Sequence, residues 1–282
     1  MTRVVRTAPA TLTHTWYATG SETPVDPTGT PTVAVVAADG VSVQSGSATI
    51  VGGSSGQTTF ALTAVATLEL LTVTWTAIVS GVTRVEVDYV EIVGGHLFTL
   101  VEGRASDASL SDTATYTTAM LANARLEVET ELEHICDRAF TPQYQRVVLD
   151  GPGNAQVFLR HTMADRTAAD ITTIRSVSMA PRLDETFVAF TAAQLAALVV
   201  TEDGMLRRVD GDVWTEEQNN IVVEYEYGWT GVPAQLKTAA MLRFRTRLNL
   251  NRSGVPERAV SYTIGDAGTY RITQPGIYAT GQ

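Results

Sequence analysis

Gly52-Gly53-Ser54-Ser55-Gly56 spells the pattern that seats a nucleophilic serine on a sharp strand-to-helix turn. That geometry needs a helix directly after the serine. Gln57-Thr58-Thr59-Phe60 continues instead as a strand, so the glycines are expected to make a hairpin turn. The histidines His14, His96, His134 and His161 are scattered, and none lies three or four residues from another, the spacing that would put two zinc ligands on one helix face. His134 has Glu131 and Glu133 beside it, which reads as a solvated helix face. Asp210-Gly211-Asp212 starts like a calcium loop but lacks the closing glutamate, so turn chemistry accounts for it. Cys136 is the only cysteine; it permits no intramolecular disulfide and, on the apolar side of a helix, is expected to be a small core residue. No nucleophile, base and orienting acid converge, so the reading is of a non-enzyme with no metal and no cofactor.

Assembly is the alternative to chemistry, and the bulk properties favour it. A length of 282 residues suits two domains, and 44% hydrophobic with 18% charged residues is the composition of a packed protein. The net charge of -10 opposes tight binding to nucleic acid, which needs a basic face. Lys237 is the only lysine, so nearly all the positive charge is arginine, which reads as the codon bias of a GC-rich genome more than as selection for function, although arginine also suits bidentate pairing at interfaces. No apolar stretch is long and clean enough for a signal peptide or a membrane span; Ala61 to Val79 is broken by threonines, Glu69 and Trp75. The expected location before assembly is a cytoplasm.

The elements follow from periodicity. After a proline- and threonine-rich extended segment over 1–30, β-branched runs at Thr32–Ala37, Ser47–Val51, Thr58–Leu62, Leu70–Ile78 and Val82–Val93 alternate with turn residues. They predict an immunoglobulin-like β-sandwich over 31–105. Ser111 or Asp112 is placed to cap a long helix whose stripe runs Tyr116, Met120, Ala124, Val128, Leu132 and Ile135, with Pro142 as its stop. Gln145–Leu149 and Ala155–Leu159 flank Asp150-Gly151-Pro152-Gly153-Asn154 and predict a hairpin. Further strands are expected at Ile171–Met179, Leu206–Val209 and Ile221–Tyr227, with a short helix capped by Thr191. A second long helix begins near Pro233. The predicted fold is therefore multidomain: the sandwich, then an α+β domain over 106–252 with two long helices around a small antiparallel sheet. An extended C-terminal arm over 253–282 follows.

Two sets of residues stand out for assembly. Arg243, Arg245, Arg247 and Arg252 on the second helix complement the acidic run Glu127 to Glu133 on the first. Glu127, Glu131, Arg243 and Arg247 are thus candidates for contacts between subunits. The arm carries Val260, Tyr262, Ile264, Tyr270, Ile272 and Tyr278 without a helical stripe, and apolar groups that cannot be buried locally call for a partner.

From about Leu126 onward the chain resembles the head-to-tail connector, or adaptor, proteins of long-tailed bacteriophages, in particular those of actinobacterial phages. The likeness is carried in order by Ile135-Cys136-Asp137-Arg138-Ala139-Phe140, by Tyr144 to Leu159, and by Ile174-Arg175-Ser176-Val177. Gly204 to Arg208, Trp214, Asn220 to Gly228, the helix from Pro233, and Ser253 to Tyr262 continue it. The resemblance implies a structural virion protein that forms a ring, typically of twelve copies, beneath the portal protein at the neck between capsid and tail. Such a ring extends the DNA channel and receives a tail-completion (stopper) or tail-terminator protein, and DNA passes through without specific recognition. The same resemblance implies that the segment after the last helix reaches the portal, which here points to Arg258, Val260, Tyr262, Ile264, Tyr270, Arg271, Ile272 and Tyr278. A competing expectation is a virion decoration protein or adhesin whose sandwich binds a ligand through Trp16, Tyr17 and Trp75.

Overall fold

The computed structural model describes residues 2–253 apart from 19, 54, 160–169, 183–184 and 202–203, together with Ser261–Ile264 and Gly268–Arg271. Its contacts divide the chain into two compact units, Met1–Leu97 with Thr130–Pro233, and Phe98–Glu129 with Ala234–Gln282.

In the first unit, β1 (Thr2–Val5), β3 (Thr28–Val36), β4 (Ser42–Ser47), β7 (Glu69–Val79) and β8 (Val82–Val93) form a five-stranded sheet in the order β1-β8-β7-β3-β4. A second sheet, β2-β6-β5, is built from β2 (Ala10–Thr15), β5 (Thr49–Ile50) and β6 (Gln57–Leu62). Alternation along β7, where Leu71, Val73, Trp75, Ala77 and Val79 are buried and the residues between them are not, turns one apolar face toward Leu12, Trp16, Phe60 and Leu62 of the second sheet. Trp16 satisfies its indole N–H on Thr58 at 3.1 Å. The N-terminal segment expected to be merely extended thus contributes two strands: β1 pairs in parallel with Val90–Val93 of β8, and β2 pairs with β6.

The rest of the first unit holds the sheet β12-β11-β15-β9, from β9 (Gln143–Gly151), β11 (Ile171–Met179), β12 (Val188–Ala189) and β15 (Glu217–Tyr227). It also holds β10-β14-β13, from β10 (Gln156–Phe158), β13 (Leu198–Val200) and β14 (Met205–Arg208), and the helix α3 (Ala192–Ala196), which Thr191 caps as expected. Val147, Leu149, Val177, Leu206, Trp214, Ile221 and Val223 close one core between these sheets.

The expected hairpin at Asp150 to Asn154 does not form: β9 pairs with β15, and β10 pairs with β14. The turn between them is held by the start of β15 and the segment before it instead. The Gly151 N–H donates to Asn220 Oδ1 at 2.8 Å, Asn219 N–H to Asp150 Oδ1 at 2.9 Å, and Trp214 N–H to Asn154 O at 2.8 Å. The fully buried Asn220 amide also donates to Ala180 O and Thr215 O, and a Cβ at Gly151 would collide with Thr215 O.

The second unit contains α1 (Leu100–Ala105), a 3₁₀ turn at Ala108–Ser111, the first part of α2 (Thr118–Cys136), α4 (Ala234–Ser253), and the paired strands β16 (Ser261–Ile264) and β17 (Gly268–Arg271). Phe98 and Phe244 meet edge to face at 5.1 Å, and Gly103 lies close enough to both rings that a Cβ there would touch Phe244 at 3.0 Å.

The expected fold class, an all-β sandwich followed by an α+β domain governed by two long helices, is overturned, because the protein is mostly β. Strand makes up 43% of the described residues against 22% helix, and sheets build the two large cores. The expected apolar stripe does not stay on one face, because each four-residue step turns about 40° beyond a full revolution, so a row spaced by four wraps around the helix. Leu121, Ala124 and Val128 are buried on α2, whereas Met120 and Ile135 are exposed, Ile135 at 67%. Cys136 is half-buried rather than a core residue. Thr117, not Ser111 or Asp112, accepts from the first turn of α2, at 3.2 Å from Met120 N, while Asp112 closes a separate turn onto Ala114 N. The helix ends well before Pro142, at Asp137 with φ +57°, where Arg138 N–H reaches back to Glu133 O.

Candidate interaction surfaces

The residues singled out for chemistry are occupied structurally. Thr49 and Ile50 of β5 pair with β6, Gly52 and Gly53 lie in a turn, and Gln57 opens a strand rather than a helix. Asp210 and Asp212 hold a cation, but the cation is Arg208. Its buried guanidinium donates to Asp210 at 2.7 and 3.1 Å and to Asp212 at 2.7 Å, and lies 5.0 Å over the Phe190 ring and 5.7 Å over Trp214. The bond to Asp210 raises the arginine's pKa and lowers that carboxyl's. His14 lies between Asp88 at 2.8 Å and Glu86 at 3.1 Å, stacked on Trp75 and edge-on to Trp16. Among the described residues no group of three or more His, Cys, Asp or Glu side chains is arranged to hold a metal ion, and no helix is long and apolar enough to cross a membrane.

Arginine earns its prevalence in buried polar seams that periodicity did not reveal. Arg3 donates to Glu91 at 2.8 Å and, through both terminal nitrogens, to Glu133 at 3.0 and 2.7 Å; Gln143 then bonds Glu133, and Tyr227 bonds Gln143. Burial opposes the Arg3 charge, but its bonds and attraction to Glu133 and Glu91 prevail and raise its pKa. Arg175 of β11 donates to Leu68 O at 2.6 Å, approaches Glu69 at 3.5 Å, and lies 4.9 Å over the Tyr144 ring. Burial pushes the Glu69 carboxyl up, against the pull of Arg175. Arg138 bonds Asp170 at 2.6 Å and stacks on Trp229, whose N–H also reaches Asp170. The first two seams link the β1–β8 sheet to β9 and β11.

The subunit-contact candidates fall in both units. Arg247 and Glu127 pair with each other at 2.9 Å within the chain, both substantially exposed. Arg243 is exposed on α4, and Glu131 is half-buried on α2. Of their neighbours, Arg245 donates to Ser106 O at 3.1 Å and Lys237 bonds Glu102 at 2.5 Å. That lysine, with the Thr99 N–H of the capping box, lowers the Glu102 pKa to about 2.

Of the arm candidates, Arg258, Val260, Ile272 and Tyr278 lie outside the described residues. Tyr262 and Ile264 sit on β16, Tyr270 and Arg271 on β17, in a two-stranded hairpin with Tyr262 in register with Tyr270 and Ser261 with Arg271. By that register, positions 262, 264 and 270 share one face. The aromatic candidates for ligand binding divide differently: Trp16 and Trp75 are fully buried in the core, and Tyr17 is exposed.

Comparison with protein-family models and with curated proteins finds no match for this chain.

Proposed function

We propose that this chain is a structural subunit of a phage neck: copies assemble as a ring under the portal protein, prolong the DNA channel and receive a tail-completion protein. The observation that carries the reading is the terminal hairpin. Its strands pair with each other and, among the described residues, with no other strand, although a lone two-stranded hairpin is marginal in water. A hairpin with tyrosine and isoleucine positions on one face is suited to completing itself on another protein. The ordered resemblance along residues 126–262 supports the same partner, and the net charge of -10 per copy suits a channel through which DNA slides without sticking. The ligand-binding alternative loses two of its three aromatic candidates to the core.

Electron microscopy and native mass spectrometry of the purified full-length protein test the reading. Closed rings, and loss of portal capture on deletion of residues 254–282 with the circular dichroism spectrum retained, are expected. A protein that stays monomeric at every concentration, or rings that capture portal equally well without those residues, refutes it.

A further inference from the structure

The five-stranded sheet of the first unit has two open edges at the same height. On one side, β1 covers β8 only from Val90 to Val93, so among the described residues Val82–Tyr89 has a strand, β7, along one of its two edges only. On the other side, β4 ends the sheet. The register links them row by row: Val87 lies opposite Thr74, Thr74 opposite Ala34, and Ala34 opposite Ser45. The rows on either side run likewise from Tyr89 to Ser42 and from Val85 to Ser47. Every residue in these three rows of the outer face is uncharged, and Val85, Val87 and Tyr89 are 60%, 47% and 52% exposed. Strands β8, β7, β3 and β4 alternate in direction, so β8 and β4 are antiparallel.

We infer that the Val82–Tyr89 edge of one copy takes the Ser42–Ser47 edge of a second copy as an antiparallel strand, which makes this sheet a head-to-tail subunit contact. The inference rests on the ring reading and names the surfaces that build the ring. Three features select the partner. The two edges are level, so the sheet continues sideways without sliding along its strands, as a flat closed ring requires. Their polarity gives the antiparallel ladder. The inner-face positions of β8 carry Arg84, bonded to Tyr17 O, and Glu86 and Asp88, both bonded to His14, while β4 presents Gln44 and Gly46, with no like charge. A two-fold pairing of β8 with β8 would instead gather four carboxylates, Glu86 and Asp88 of both copies, against only two Arg84 guanidinium groups at one edge of a chain already at -10. Exposed edges of this length are ordinarily blunted by charge, and here the outer-face positions beside the edge are Val85, Val87 and Tyr89.

Full-length protein in a Cys136→Ser background, carrying Ser45→Cys and Val87→Cys together, tests the contact by oxidation or with a short bismaleimide. The expected product is a ladder of covalent multimers, while either cysteine alone gives none. Val87→Lys should retain the wild-type melting temperature and weaken assembly at least tenfold. A covalent dimer from Val87→Cys alone shows two-fold pairing and overturns the inference. Rings that form with no ladder, and that tolerate Val87→Lys, leave the edge to a foreign strand and also overturn it, with the ring reading intact. Wild-type protein that never assembles removes the contact and the ring reading together.

Discussion

Replacing Arg3 with methionine tests whether the polar seam behind β1 is a structural necessity. Arg3 has only 10% of its side chain exposed, and its partners Glu91 and Glu133 have 8% and 16%. Methionine keeps much of the aliphatic volume but leaves two carboxylates in a poorly solvated place without their cation. Removing one partner of such a cluster costs about 3–5 kcal/mol. Gln143 still donates to Glu133 at 2.7 Å, which moves the expectation toward the lower end, about 3 kcal/mol. Replacing the whole cluster, as Arg3→Met with Glu91→Gln and Glu133→Gln, leaves no buried net charge and should recover more than half of that loss, since neutral replacements of buried ion clusters are often tolerated. Urea unfolding followed by fluorescence measures both, because Trp16, Trp75 and Trp214 are fully buried and report on the two large cores. A loss under about 1 kcal/mol for the single variant, or a triple variant no more stable than the single, would refute the reasoning.

Gly56 has φ +64°, and an added Cβ would come within 2.6 Å of Trp16 O and 2.8 Å of Val25 N; Gly56→Ala should therefore cost about 2–4 kcal/mol in the same assay, through strain and backbone displacement. Arg208→Lys keeps the charge but loses the fork that serves Asp210 and Asp212 at once and the stacking on Phe190, so a lower melting temperature is expected, by about 2–6 °C. The Glu102 carboxyl has a folded pKa of about 2 against an ordinary 4.5. A depressed acid contributes stability above its unfolded pKa and loses it as pH falls through the window from 4.5 to 2. NMR titration should show that low midpoint, and Lys237→Met should raise it.

Strand positions were the most legible part of the chain. Ile171–Met179 matches β11 residue for residue, and Val82–Val93 matches β8, because β-branched runs between turn residues carry their own boundaries. Pairing was not legible. Gln145–Leu149 and Ala155–Leu159 look like a hairpin locally, and only Asn220, some 70 residues on, assigns the loop between them elsewhere. The end of α2 escaped for a related reason: Asp137 in a left-handed conformation looks like any other polar residue in a sequence. The candidate surfaces were legible as composition alone. Spacing could mark Glu127 and Arg247 as complementary, yet not that they pair within one chain, and it gave no sign of the uncharged face from Tyr89 to Ser42, which exists only once four strands are in register. The aspartates at 210 and 212 carried a real signal for a cation, and the cation turned out to be a side chain two residues away from the first of them.

Because the first unit is assembled from Met1–Leu97 and Thr130–Pro233, its completion is ordered in time on the ribosome. Arg3 and Glu91 can meet as soon as β8 has emerged, but Glu133 follows Glu91 by 42 residues, and that interval takes roughly 2–8 s at ordinary translation rates. For those seconds the nascent chain holds an unfinished ion cluster and a β8 edge with Val85, Val87 and Tyr89 exposed on one face. A slow codon stretch or a stalled ribosome between those positions would lengthen the exposure, so premature contact between neighbouring nascent chains is the hazard that synthesis of this protein has to outrun.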